Sequence, residues 1–208
     1  MQGEGGIIVP PHGFLKQAEQ ICRDHNVLLV FDEIQTGLGR TGKMFAYQYE
    51  DVQPDGITVG KALSGGFYPI SAFISTEEVM GVFQPGDHGS TFGGNPLAAA
   101  IGIAALDVII EEKLPEKALK LGEYFIEKLQ SIKSTYIKEV RGKGLLIGME
   151  LYPEAGGARR FCKALAKEGL LAKETRDNVI RFAPPLVISQ DEIDWALEKI
   201  ERVLTTTG

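Results

Sequence analysis

The stretch VLLVFDEIQTGLGRTG, residues 27–42, decides the reading of this chain. Five apolar residues, Val27 to Phe31, run without alternation into Asp32 and Glu33 and then into a glycine-rich loop. An unbroken apolar run of that length predicts a strand covered on both faces, as in a parallel sheet. Upstream, Phe14, Leu15, Ala18, Ile21 and Cys22 recur at helical spacing, so a helix is expected to feed the strand. Downstream, GITVG at 56–60 and YPISAFIS at 68–75 read as two further short strands set between loops rich in Gly and Pro. Strands with helices between them predict an α/β fold built on a parallel sheet.

QPGDHGSTFGGN, residues 84–95, is a loop dense in glycine. Pro96 follows where a first helical turn tolerates it, opening an apolar helix over about 97–111. The texture then changes. PEKALKLGEYFIEKLQSI is amphipathic, with Ala118, Leu121, Phe125, Leu129 and Ile132 on one face. A boundary near residue 111 is therefore expected, with domains 1–111 and 112–208. In the second, YIKEV, GLLIGMEL, LLAK and VIRFAP read as strands and ARRFCKALAKEG as a helix. Ser189 and Glu192 form a capping box for a last helix that turns Ile193, Leu197, Ile200 and Leu204 inward. This predicts a small α+β domain.

Composition narrows the function. The 208 residues are 44% hydrophobic and 24% charged, with net charge -6 and pI near 5.2. That excess of acid speaks against nucleic acid as a partner, because phosphate backbones demand a cationic face. Two lone cysteines, Cys22 and Cys162, suggest a reducing compartment, and three scattered histidines suggest no metal site. The run AAAIGIAALDVII is too short for a membrane span and carries Asp107, and MQGEGGIIVPP lacks the form of a signal peptide. A cytoplasmic protein without a membrane partner is expected.

The chemistry is sought beyond the carboxyl ends of parallel strands, where ligand crevices lie. Asp32 ends the first strand and Lys61 follows Gly60 at the end of the second. A buried carboxylate needs a cation or hydrogen bonds to offset its lost hydration. Two readings satisfy this: an Asp32–Lys61 ion pair, or a cofactor held between them. Pyridoxal phosphate asks for such a pair, a lysine for its aldehyde and an acid beside its ring nitrogen. GLGRTG at 37–42 also matches the dinucleotide pattern G-x-G-x-x-G, but DEIQT separates it from its strand and no helical pattern follows it.

DEIQTGLGRTG, PDGITVGKALSGGFYPISAF and HGSTFGGNPLA, in this order, resemble the class III pyridoxal-phosphate aminotransferases. VRGKGLL and VIRFAPPLVI are most similar to the ornithine aminotransferases among them. The resemblance implies a fold-type I enzyme, of which this chain looks like the C-terminal part: the end of the large parallel-sheet cofactor domain, then the small domain. It implies that Lys61 is the Schiff-base lysine and proton shuttle, that Asp32 pairs with the pyridine nitrogen, and that Gln35 bonds the ring hydroxyl. Ser90 and Thr91 would bind the cofactor phosphate across a homodimer interface. Arg181 would clamp a substrate carboxylate, and Glu4 would cover Arg181 while ornithine is bound and release it for 2-oxoglutarate. The substrates implied are thus an amino acid and a 2-oxo acid. An acetylornithine or 4-aminobutyrate aminotransferase is the alternative within the family, since Lys61, Asp32 and Thr91 would serve any of these, and a non-catalytic fragment or partner subunit is the alternative from a different class.

Overall fold

A computed structural model describes residues 1–206. The chain folds into two compact units that are not continuous in sequence. One comprises Pro11–Leu38 and Lys43–Lys113; the other comprises Met1–Pro10, Gly39–Gly42 and the chain from Leu114 onward. Residues 1–111 therefore contribute to both.

The first unit holds helix α1 (Phe14–Asp24), strands β1 (Val30–Asp32), β2 (Gly56–Val59) and β3 (Ala72–Ser75), the short α2 (Glu77–Met80) and the long α3 (Pro96–Glu111). The sheet order is β1-β2-β3, with β1 parallel and β3 antiparallel to β2. This corrects the expectation of an all-parallel sheet in this stretch. A parallel return needs a crossover, usually helical, and between β2 and β3 the chain makes only a 3-10 turn over Lys61–Ser64. Cover of this sheet is incomplete. Val27, Leu28 and Val30 are 54%, 58% and 47% exposed, because β1 is a three-residue edge strand with β2 as its one strand neighbour. α1 likewise buries none of its residues, and Phe14 and Ile21 lie open. α3, mostly apolar, seats Gly102 against Leu63 and Ile70 and buries Ala98 and Ile109, while Leu97, Ile103 and Ile110 are exposed. Asn95 caps it by accepting from the Ala98 N–H at 2.9 Å.

The second unit is better packed. Its sheet runs β4-β5-β7-β6, antiparallel throughout, from β4 (Ile137–Lys143), β5 (Leu146–Leu151), β6 (Lys173–Thr175) and β7 (Val179–Phe182). Helices α4 (Leu114–Ser131), α5 (Ala158–Lys167) and α6 (Gln190–Thr206) supply the rest of the core. One sheet face presents Val140, Ile147, Met149, Ile180 and Phe182 to Phe125, Leu129, Phe161, Leu165, Ile193 and Ile200. Of these, the helical spacing selects Phe125, Leu129, Ile193 and Ile200, and the Ser189–Glu192 capping box is formed as expected.

The opposite face carries Glu139, Arg141, Gly148, Glu150, Val179 and Arg181, by alternation along the strands. The segment Gln2–Ile8 lies on it. Gln2 and Ile8 exchange backbone hydrogen bonds at 2.9 and 3.0 Å, and Ile7 is fully buried. Only a glycine at 148 allows this, since a Cβ there would stand 2.8 Å from the Ile7 Cβ. Among the described residues no helix is long and apolar enough to cross a membrane.

Candidate active site

Two groups of the residues singled out above are assembled, one in each unit. In the first unit, parallel pairing sets Asp32 opposite Thr58, so both side chains share a sheet face. Two residues beyond Val59, which ends β2, Lys61 opens the 3-10 turn. Neighbouring strand ends thus bear the acid and the amine, as the sequence suggests. The premise that Asp32 is buried is overturned. Asp32 is exposed, one of its oxygens accepting from the Ile34 N–H at 3.0 Å, and it forms no ion pair with Lys61 among the described residues.

The buried acid is its neighbour. Glu33 is 3% exposed, accepts from the Tyr47 N–H at 3.0 Å and from the Thr36 hydroxyl, and so anchors the loop that leaves β1. Adjacent strand residues face opposite ways, which is why one of two consecutive acids is sealed and the other is presented. Gln35 sits half-buried in the turn just after.

Lys61 has a left-handed backbone, φ 45°, which is disfavoured for any residue with a Cβ. The turn holds it there: the Ser64 hydroxyl donates to the Lys61 carbonyl at 2.8 Å and accepts from the Gly66 N–H at 3.1 Å. The Thr58 hydroxyl oxygen is buried with no hydrogen-bond partner among the described residues. Buried polar groups are normally satisfied, so an orphan on the face that carries Asp32 marks a place for a polar ligand. Ser90 and Thr91 are exposed in the 84–95 loop, where the Ser90 carbonyl accepts from the Gly93 N–H at 3.2 Å; no bond ties either to Asp32 or Lys61.

In the second unit Glu4 and Arg181 meet. Arg181 Nη1 donates to a Glu4 carboxylate oxygen in an ion pair whose arginine side chain is 15% exposed and whose glutamate is 70% exposed. Arg181 lies between Gly148 on β5 and Lys173 on β6 in the same cross-strand row. The Glu4 carbonyl accepts from the buried Thr175 hydroxyl at 2.8 Å. Sequence reasoning overlooked three residues here: Glu33, Thr58 and Arg141. Alternation in IKEVRGK could have placed Arg141 opposite Val140 across β4, but not its partners.

The glycine-rich loop GLGRTG has a structural purpose. It opens no α-helix; the next element is a 3-10 turn over Ala46–Tyr49. Arg40 instead donates to the Leu145 carbonyl at 3.0 Å and to the Pro184 carbonyl, and burial lowers its pKa to about 10, still protonated at neutral pH. A Cβ on Gly144 would lie 2.4 Å from the Thr41 carbonyl carbon. Close backbone approach, not a dinucleotide, accounts for the motif.

The family model described as aminotransferase class-III matches residues 1–204. This chain belongs to the class-III aminotransferases. Among other members, a curated ornithine aminotransferase of a Geobacillus species is 61% identical over 203 residues, 98% of this chain and 50% of the relative. The solved ornithine aminotransferase of Toxoplasma gondii superposes with a TM-score of 0.96 at 45% identity, over 100% of this chain and 50% of that one. The acetylornithine aminotransferase of Elizabethkingia anophelis gives 0.93 at 50% identity, over 98% and 52%. The chain thus spans about half the length of the curated class-III relatives it matches. Its fold is the corresponding region of the fold-type I aminotransferases.

Proposed function

We propose that this chain acts within an ornithine aminotransferase that uses pyridoxal phosphate, converting ornithine and 2-oxoglutarate to glutamate semialdehyde and glutamate. The observation that carries the substrate reading is the Glu4–Arg181 ion pair. An arginine covered by an exposed acid has two states, one neutralised and one free to grip a carboxylate through its planar fork. Covered, it tolerates a substrate that offers an amine. Uncovered, it takes the α-carboxylate of glutamate or 2-oxoglutarate.

The residues present fit the cofactor: an exposed anion at Asp32, an amine at Lys61 on the next strand end, and the unpartnered Thr58 hydroxyl on the Asp32 face. When bound, pyridoxal phosphate supplies an electron-withdrawing ring that acidifies the carbon carrying the amino group to be moved. Asp32 would hold a proton on the ring nitrogen by charge attraction. Lys61 would tether the cofactor and carry the proton to and from that carbon, and Gln35 would orient the ring hydroxyl. Ser90 and Thr91 would hold the phosphate of the partner subunit in a homodimer. We assign the unit of Pro11–Leu38 and Lys43–Lys113 to the cofactor domain, the unit of Met1–Pro10, Gly39–Gly42 and the chain from Leu114 onward to the small domain, and the enzyme to the cytoplasm.

The test is borohydride reduction of the complete holoenzyme, followed by peptide mapping, together with rates on three amines. Label at Lys61 and preference for ornithine over N-acetylornithine and 4-aminobutyrate are expected. Label elsewhere would overturn the cofactor assignment. Preference for N-acetylornithine, which the similarity to the Elizabethkingia structure favours as the second reading, would overturn the substrate.

A further inference from the structure

The reading above leaves open what holds the Glu4 carboxylate over Arg181. Glu4 is mostly exposed, and its segment includes a strained residue: Ile7, β-branched, has φ 55°. Such a backbone persists only where its surroundings impose it. Arg141 does so. Its Nε donates to the Ile7 carbonyl at 3.0 Å and its Nη2 to the Gly6 carbonyl at 2.7 Å. Nη1 is engaged by Glu150 and by Glu139 at 2.8 Å, which orient the guanidinium from the sheet side. Arg141 and Arg181 flank Gly148 in one cross-strand row, so the segment bearing Glu4 is gripped two strands away from the arginine it covers, with β5 between.

We propose that Arg141 is a positioning residue for substrate exchange: it pins the Gly6 and Ile7 carbonyls, so Arg181 is uncovered by rotation of the Glu4 side chain alone, with the backbone fixed. The Thr175 bond to the Glu4 carbonyl closes the clamp from the other end. Lysine keeps the charge beside Glu150 but lacks the rigid fork that reaches two carbonyls. Loosening the clamp leaves Arg181 uncovered more of the time, which favours 2-oxoglutarate and disfavours ornithine in its productive orientation.

This inference rests on the Glu4–Arg181 reading, and the test separates the two in the complete holoenzyme. Glu4→Gln, Arg141→Lys and the double variant are compared, with Gly148→Ala as an independent way to lift Ile7. For Arg141→Lys and Gly148→Ala, KM for ornithine should rise and KM for 2-oxoglutarate fall, their ratio moving about tenfold with kcat nearly unchanged, as loss of one charge-assisted contact implies. A general folding defect would instead lower apparent kcat and leave both KM values unchanged, because it only reduces the number of active sites. Hydrogen exchange at the amides of residues 5–8 should quicken in both variants, and the double variant should match Glu4→Gln. If Glu4→Gln shifts the ratio and Arg141→Lys does not, the inference fails and the substrate reading stands. If Arg141→Lys shifts the ratio with exchange at 5–8 unchanged, the inference fails as well. If Glu4→Gln itself leaves the ratio alone, both fail.

Discussion

Gly122, in the middle of α4, touches the carbonyl of Gly144: a Cβ on Gly122 would stand 2.1 Å from that oxygen. Helix propensity alone favours alanine over glycine by about 1 kcal/mol. Here the sign should reverse, because the obstacle is backbone and Gly144 is itself backed by Thr41 and Gly42. Gly122→Ala is expected to lose about 2–3 kcal/mol, as overpacking does in tight cores. A urea melt of the purified protein measures it, and an unchanged or raised midpoint would mean that the 144 turn can retreat.

Lys61 offers a test of strain at the position proposed to tether the cofactor. On that proposal, Lys61→Ala and Lys61→Gly should abolish transamination by the complete enzyme equally, since both remove the amine. They should differ in stability. With φ at 45° the glycine variant escapes the penalty a Cβ meets in the left-handed region, so it should be the more stable by about 1 kcal/mol. Equal thermal midpoints would mean that the turn relaxes once the side chain is gone.

Glu150 predicts an acid response. Hydrogen bonds from Lys138 and then from Arg141 hold its carboxyl below its ordinary value of 4.5. The ionised form is therefore favoured by folding, and its contribution is complete above that value and lost as pH falls through the lower, folded one. Glu150→Gln should cost about 1.5–3 kcal/mol near pH 7, the range for hydrogen bonds to charged groups. The gap to the parent protein should narrow at an acid pH well below 4.5. Urea midpoints at the two pH values decide it, and a gap that widens in acid would contradict the assignment.

What could be read in advance divides along physical lines. α4, α5 and α6 each set one apolar stripe against a sheet, so spacing alone picked Ala118, Phe125, Leu129, Ile193 and Ile200 as core. For α1, β1 and α3 the same apolar letters say that cover is wanted without saying what provides it, and Phe14, Val27 and Ile103 are exposed. The direction of β3 depended on a missing helical crossover, which strand propensities do not encode. Asp32 and Glu33 illustrate the limit within one dipeptide: a period of two says they part company, and only the sheet says which goes inside. Arg181 and Glu4, separated by 177 positions, were tied together by resemblance and not by any local pattern. Thr58 drew no notice because a threonine in a strand is ordinary until its hydroxyl turns out to have no partner.

Because Met1–Pro10 and Gly39–Gly42 join the unit that begins again at Leu114, the polypeptide passes from one body to the other four times. Gene dissection at residue 111, however natural it looks on paper, would not deliver a finished module. The C-terminal piece would lose Ile7 from its bed at Gly148 and Arg40 from the carbonyls of Leu145 and Pro184. Anyone wishing to graft this unit onto another aminotransferase must carry three separate segments across, or none.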